Sequence, residues 1–324
     1  MKVITILVPE KSILQAIADP QYCFSMVNRF LTMAGKQPPF RVELAGIKRD
    51  VKFNFGRYTV HPDKLLSEVE KSDLILIPAL SGDIVKAVEA NGPMIPWIVE
   101  QYRNGAEVAS LCVWAFLLAA TGLLDGKKCS THWGFIHQFR EMYPEVDVQD
   151  GSIVTEENGI YSSGGANSYW NLLLYLVEKY IDRETAVLTS KYFAIDINRI
   201  SQSPFAIFKG QKEHSDEAIR KAQDYIEQHI EFKITVDQLA EKTAMGRRSF
   251  ERRFKRATSN SVLEYIQRVK IEAAKRSFES NHRNINEVMF DVGYSDNKAF
   301  RNTFKKITGL TPVEYKSRYS KMPL

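Results

Sequence analysis

Set FERRFKRATSNSVLEYIQR, residues 250–268, above FRNTFKKITGLTPVEYKSR, residues 300–318. At an offset of fifty residues, Phe250/Phe300, Phe254/Phe304, Lys255/Lys305, Thr258/Thr308, Glu264/Glu314, Tyr265/Tyr315 and Arg268/Arg318 coincide. Self-similarity at a fixed period constrains a fold more tightly than composition does, because both copies must form the same supersecondary unit. The last third of the chain is therefore expected to be one unit built twice.

Each copy reads as a helix, a short turn and a second helix. In the first, Thr235 can cap a helix, with Gln238 closing a capping box. A turn at Ala244–Gly246 follows, and a second helix begins near Arg247. In the second, Asn284 and Glu287 form the same start. The turn is Gly293–Ser295, and the next helix begins near Asp296. Two helices joined by a tight turn, the second one basic, form the helix-turn-helix pattern. Between the copies, VLEYIQRVKIEAAKRSFES has helical periodicity, and a stiff helix there would hold two reading helices roughly 34 Å apart, one turn of a duplex.

The spacing assigns roles. Phe250 and Phe254 lie at i and i+4 and share the face that packs inward. Early residues of a reading helix meet base edges, so Arg248, Glu251 and Arg252 are assigned to bases in the first copy. Asn297, Lys298, Arg301 and Asn302 correspond in the second. Arg253, Lys255 and Arg256 are assigned to phosphates, as are Lys305 and Lys306, contacts that position a protein without reading sequence.

Charge agrees with this reading. Residues 217–324 hold 22 Lys+Arg against 14 Asp+Glu, and the rest of the chain holds 22 against 25. A basic domain on a mildly acidic body points to a polyanion, most simply double-stranded DNA.

The first half has a different grammar. Val3–Val8, Val42–Ala45, Leu74–Pro78 and Val108–Leu111 are short apolar runs of the kind found in central parallel strands. Helical stretches lie between them, such as Tyr22–Ala34 and Leu65–Lys71. Strand–helix alternation predicts a doubly wound, flavodoxin-like α/β sheet. Ser152–Ser163 carries an Asn-Gly turn between strand-like runs, a hairpin signal, and Asn171–Tyr180 reads as a helix. We expect residues 1–208 to form this α/β domain, 209–216 a polar linker, and 217–324 an all-α domain of two helix-turn-helix units. Val108–Leu124 is too short and too interrupted by Ser110, Thr121 and Gly122 to span a bilayer. MKVITILVPEK reads as a first strand and not a signal peptide. Cys23, Cys112 and Cys129 are few, odd in number and without metal spacing, as reduced cytoplasmic thiols are. No metal and no cofactor are expected.

Residues from about 217 to 320 resemble the DNA-binding domain of the AraC/XylS transcription regulators. FERRFK at 250–255 and DVGYSDNKAFRNTFKKITGLTPVEY at 291–315 carry the likeness. Gly246 stands where a capping serine is common in that family, and Asn302 where arginine is common. VASLCVWAFLLAATGLLDGKKCSTHW at 108–133 resembles the ThiJ/PfpI, or class I glutamine-amidotransferase-like, domain over roughly residues 1–190. The combination is similar to the GlxA-like subgroup of regulators. That resemblance implies a cytoplasmic transcription regulator that binds promoter DNA. Its first domain would sense a small-molecule effector or form a homodimer, and RNA polymerase would be a further partner.

In enzymes of the ThiJ/PfpI superfamily a cysteine sits on a strained strand-to-helix elbow, tuned by a histidine or carboxylate. Cys112 falls on that position and His132 on the histidine's. The supporting residues depart from the pattern. Trp114 replaces a usual glycine, Ala16 stands at an acidic position with Asp19 shifted from it, and Asn171 replaces a later acid. Three readings of Cys112 stay open: a nucleophile, a wall of an effector pocket with Trp114 and His132, or a buried packing thiol. The four tryptophans, Trp97, Trp114, Trp133 and Trp170, are first of all core residues, and otherwise an aromatic pocket or dimer contact. A cysteine hydrolase or amidase with an accessory DNA-binding tail is the rival to a regulator.

Overall fold

A computed structural model of the 324-residue chain describes residues 1–79, 81–199, 201–280 and 283–320. The chain divides into two compact units, Met1–Gln202 and Ser203–Leu324.

In the first unit the strands are β1 Lys2–Leu7, β2 Phe40–Gly46, β3 Val51–Phe53, β4 Tyr58–Val60, β5 Lys64–Leu65, β6 Leu74–Ile77, β7 Glu107–Ser110, β8 Lys128–Cys129, β9 Asp147–Val148, β10 Val154–Glu157 and β11 Ile160–Ser163. Seven of them form one sheet in the order β10-β11-β7-β6-β1-β2-β5. All neighbours in it are parallel except the β10–β11 pair. β6 is apolar throughout, and it and the inner residues of β1 and β7 are buried on both faces, which is what helices on both sides of a parallel sheet demand. The helices are α1 Gln15–Met33, α2 Ile84–Ala90, α3 Met94–Arg103, α4 Ala115–Ala120, α5 Ile136–Met142, α6 Tyr169–Tyr180 and α7 Arg183–Tyr192. The hairpin turns on Asn158 at φ 54° and Gly159 at φ 74°, both left-handed, as a tight two-residue turn requires.

One expected helix is absent. Leu65–Lys71 holds the end of β5 and a single 3₁₀ turn, Leu66–Glu68. Glu68 folds back onto the Leu65 N–H at 2.7 Å. Leu65 itself pairs with Gly46 in the sheet, so the apolar pattern serves an edge strand.

The second unit is helical from Glu217 onward: α8 Glu217–Gln228, α9 Val236–Lys242, α10 Arg247–Thr258, α11 Val262–Ser280, α12 Ile285–Asp291, α13 Asn297–Thr308 and α14 Pro312–Tyr319. Both anticipated capping boxes are present, Thr235 with Gln238 and Asn284 with Glu287. The helix-turn-helix pairs are α9–α10 and α12–α13. Their turns rest on left-handed residues, Ala244 at φ 52° and Gly293 at φ 71°. Each pair closes its own core. Phe250 and Phe254 pack with Leu239, Tyr265 and Val269, and Phe300 and Phe304 with Phe278, Val288 and Tyr315. α11 serves both: Tyr265, Ile266 and Val269 enter the first core, while Ile271, Ala274 and Phe278 enter the second. It is one rigid spine of 19 residues, roughly 28 Å long at the helical rise.

Candidate nucleic-acid interface and effector pocket

Burying the two phenylalanines of each reading helix fixes what the opposite face presents. On α10, Arg248, Arg252, Lys255 and Arg256 are exposed, and on α13 Lys298, Arg301, Asn302, Lys305 and Lys306. Arg248, Arg252 and Lys255 follow the i, i+4, i+7 stripe, and Lys298, Asn302 and Lys305 repeat it fifty residues later. Among the described residues none of these six forms a salt bridge. A stripe of exposed side chains, five of the six cationic and one an amide, on the second helix of a helix-turn-helix is an anion-facing surface.

Three assigned residues are engaged within the protein. Arg253 makes a bidentate pair with Asp216, both bonds 2.9 Å. Asp216 caps α8 and is 14% exposed. The expected phosphate contact of Arg253 is therefore corrected: its guanidinium ties α10 to α8. Sequence spacing missed this because the partner lies 37 residues away. Glu251 is half-buried and accepts from Arg247 Nε at 3.3 Å, while Arg247 also reaches Asp237 at 3.1 Å. Asn297 donates to Asn286 Oδ1 at 3.0 Å. Arg247, which is not among the assigned residues, joins Glu251 to Asp237.

In the first unit, Cys112 follows the carboxyl end of β7 with φ 59°, the strained elbow that its place in the sequence suggests. It lines a cavity of about 250 Å³ with Ile13, Ala79, Gly82, His132 and Ala166. Ile13, Ala79 and Cys112 come from the loops after β1, β6 and β7, which is where an open α/β sheet receives ligands. Among the described residues the wall carries no Asp, Glu, Lys or Arg.

Burial pushes the Cys112 thiol up to about 12, against the smaller opposing pull of the Val113 and Ala166 backbone N–H groups on its sulfur. His132 lines the same cavity, but its Nδ1 accepts from the Gly134 N–H at 3.0 Å, and burial lowers its pKa. Among the described residues no hydrogen bond joins the two side chains. Asp19 is spent elsewhere, accepting from Tyr169 Oη at 2.6 Å and Trp170 Nε1 at 3.0 Å. Asn171 donates to the Asp196 carbonyl.

Trp114 corrects a further expectation. It is fully buried in the core and contributes nothing to the cavity wall. The residue beside Cys112 that faces the cavity is Val113. Trp170 is also core, its ring tilted against Phe193 with centroids 4.5 Å apart.

Gln202 escaped the sequence reading. It is 1% exposed and bonds the loops that carry His132 and Ala166. A glutamine in a polar stretch has no periodic signature, so only the fold reveals it. Among the described residues no helix is long and apolar enough to cross a membrane, and no group of three His, Cys, Asp or Glu could hold a metal ion.

Comparison with known proteins follows the same division. Residues 29–179 match the DJ-1/PfpI family and residues 239–318 a helix-turn-helix domain family. The HTH-type transcriptional regulator CdhR of Pseudomonas aeruginosa is 24% identical over 257 residues, covering 79% of this chain and 75% of its own length. The HTH-type transcriptional regulator GlxA of Rhizobium meliloti is 21% identical over 220 residues, covering 67% of each. An AraC family transcriptional regulator from Pseudomonas putida shares the fold over 60% of this chain and 100% of its own, with a TM-score of 0.51 and 15% identity. The chain thus joins a DJ-1/PfpI domain to an AraC-type helix-turn-helix domain, an architecture similar to that of these HTH-type regulators.

Proposed function

We propose that the chain is a sequence-specific DNA-binding transcription regulator that reads promoter DNA with α10 and α13 and senses a small molecule in the Cys112 cavity. The observation that carries this reading is the repeated stripe of exposed, mostly cationic side chains opposite fully buried phenylalanines. Arg248 and Arg252 read bases from the first helix, and Lys298, Arg301 and Asn302 from the second. Lys255, Arg256, Lys305 and Lys306 hold phosphates. Glu251 and Asn297 reach bases only after leaving Arg247 and Asn286.

The cavity selects an effector that is small and uncharged, because its wall offers apolar surface and neutral hydrogen-bonding groups. Turnover is not part of this function: a thiol held protonated beside a histidine turned to a backbone amide is a poor nucleophile. The protein works in the cytoplasm, where its DNA partner is, and as a homodimer. Pairing two readers raises effective concentration at a promoter, where RNA polymerase is the next partner.

The test is a footprint of the full chain on the region upstream of its own reading frame. Two protected segments about one helical turn apart are expected. Release of product from ester or amide substrates that ends on Cys112→Ser would favour the rival hydrolase.

A further inference from the structure

The loops that line the cavity converge on one buried side chain. Gln202 is the last residue of the first unit. Its Nε2 donates to the carbonyls of Thr131 at 2.8 Å and Ser152 at 3.2 Å. Its Oε1 accepts from the N–H of Gly165 at 2.7 Å and of Trp133 at 3.2 Å. Both amide hydrogens and both lone pairs are thus used. Thr131 and Trp133 flank His132, and Gly165 precedes Ala166, so one amide holds two walls of the cavity. The fit leaves no slack. A Cβ on Gly164 would stand 2.7 Å from the Gln202 amide, and one on Gly165 3.1 Å from both Gln202 Oε1 and His132 Cδ2.

The next residue, Ser203, opens the second unit. Ser203–Phe205 makes one 3₁₀ turn packed against α13. The Ala206 carbonyl accepts from Lys275, and the Phe208 N–H donates to Glu272 Oε2 at 3.2 Å. Lys275 and Glu272 are themselves paired at 2.8 Å, with side chains only 5% and 8% exposed. The Phe208 ring meets Tyr265 edge-on at 5.2 Å. Gly210, at φ 67°, passes so close that a Cβ would stand 2.5 Å from Tyr265 Oη. Residues 203–210 are therefore a strap laid along α11, the helix both reading units share. Releasing it would strip a buried ion pair of two hydrogen-bond partners, a steep penalty.

We propose that Gln202 is the positioning residue that couples the Cys112 cavity to DNA binding. This rests on the function proposed above. A ligand that displaces the Thr131–Trp133 or Gly164–Ala166 loop moves the Gln202 amide. The single peptide bond to Ser203 passes that displacement to the strap, and the strap bears on α11 and α13. Coupling of this kind is reciprocal. DNA must bias the cavity loops even when no effector is present, which makes the idea testable before any effector is known.

The experiment is amide hydrogen exchange on the full chain, with and without a saturating duplex from its own upstream region. Exchange at Trp133 and Gly165, whose N–H groups bond Gln202, should change by about fivefold or more on DNA binding, the lower end of ordinary allosteric coupling. A variant with Gly-Ser-Gly inserted between Gln202 and Ser203 keeps every side-chain contact in both units. It should still bind the duplex while the response at Trp133 and Gly165 disappears. Gln202→Ala should behave the same way. An unchanged exchange pattern in the wild type at saturation overturns the proposal, as does a full response in the insertion variant. Absence of any duplex binding removes the regulator reading, and this coupling with it.

Discussion

The Lys270 ammonium donates to the carbonyl of Val292 at 3.0 Å, across the junction of the two helix-turn-helix units. The same nitrogen reaches the Phe232 carbonyl at 3.0 Å, beyond the end of α8. Gly293 makes room for it: a Cβ there would stand 2.5 Å from the ammonium and 2.6 Å from the Glu231 carbonyl. Burial lowers the Lys270 pKa below the usual lysine range, and those carbonyls are the compensation. One charge on the shared helix thus fixes the second turn against the segment that joins α8 to α9.

Lys270→Met should cost about 2–4 kcal/mol, since it leaves buried carbonyls without donors. It should also weaken DNA binding, although Lys270 faces away from the reading stripes. Urea denaturation and a gel shift on the same preparation check both. Unchanged stability with full DNA affinity would remove Lys270 from this role.

The reading helices separate base contacts from phosphate contacts. Arg252→Ala should relax promoter choice, narrowing the gap between specific and scrambled duplexes by about 1–3 kcal/mol. Lys305→Ala should weaken all duplexes alike and reduce the salt slope by about one. Fluorescence anisotropy across a salt series on both duplexes distinguishes the outcomes.

Arg253→Ala should behave differently from its neighbours. Its bidentate partner is Asp216, which caps α8. Removing it should cost about 1–3 kcal/mol of stability, the scale of hydrogen bonds to a charged group. The salt slope of DNA binding should stay as in the wild type. A slope reduced by one would return Arg253 to the phosphate contacts.

The division between legible and hidden features follows the range of the interactions. Phe250, Phe254, Phe300 and Phe304 were legible because a helix face repeats locally. The capping boxes at Thr235 and Asn284 were legible because their partners lie three residues on. The apolar strands and the Asn158–Gly159 turn were legible for the same reason. Arg253, Trp114 and Gln202 were not, since their surroundings are set by segments distant in sequence. The apolar spacing of Leu65–Lys71 fits a helix, but pairing of Leu65 with Gly46 decides the outcome. The Cys112 elbow was suggested by local sequence. The raised thiol pKa was not, because burial is a property of the whole fold.

Cys112 should be slow to alkylate. With the thiol pushed up to about 12, the thiolate fraction at pH 8 is about 10⁻⁴. Labelling by iodoacetamide should rise about tenfold per pH unit between pH 8 and 10, while the native fold persists. The folded value lies above the ordinary thiol value of 9.0, so the neutral thiol's contribution to stability is complete below pH 9. That contribution is lost as pH rises through the window toward 12. Mass spectrometry of the labelled peptide checks the profile. Rapid labelling at neutral pH would indicate an activated thiol.

Gly164→Ala should destabilise the first unit by about 1–3 kcal/mol. Its Cβ would lie 2.7 Å from the Gln202 amide and 2.9 Å from the Ser152 carbonyl. Backbone and a fully bonded side chain have little freedom to yield. A thermal melt reads the loss, and an unchanged midpoint would mean that the Gln202 clamp is looser than the structure shows.

The most direct test of the regulator reading is the affinity of the full chain for a duplex from its own upstream region and for a scrambled duplex, each across a salt series. The account predicts that the logarithm of affinity falls linearly with the logarithm of salt on both. The upstream duplex should be preferred by about 10³-fold or more at physiological salt. Equal affinity for the two duplexes would contradict sequence-specific reading, and no salt-dependent binding to either would contradict the DNA-binding function itself.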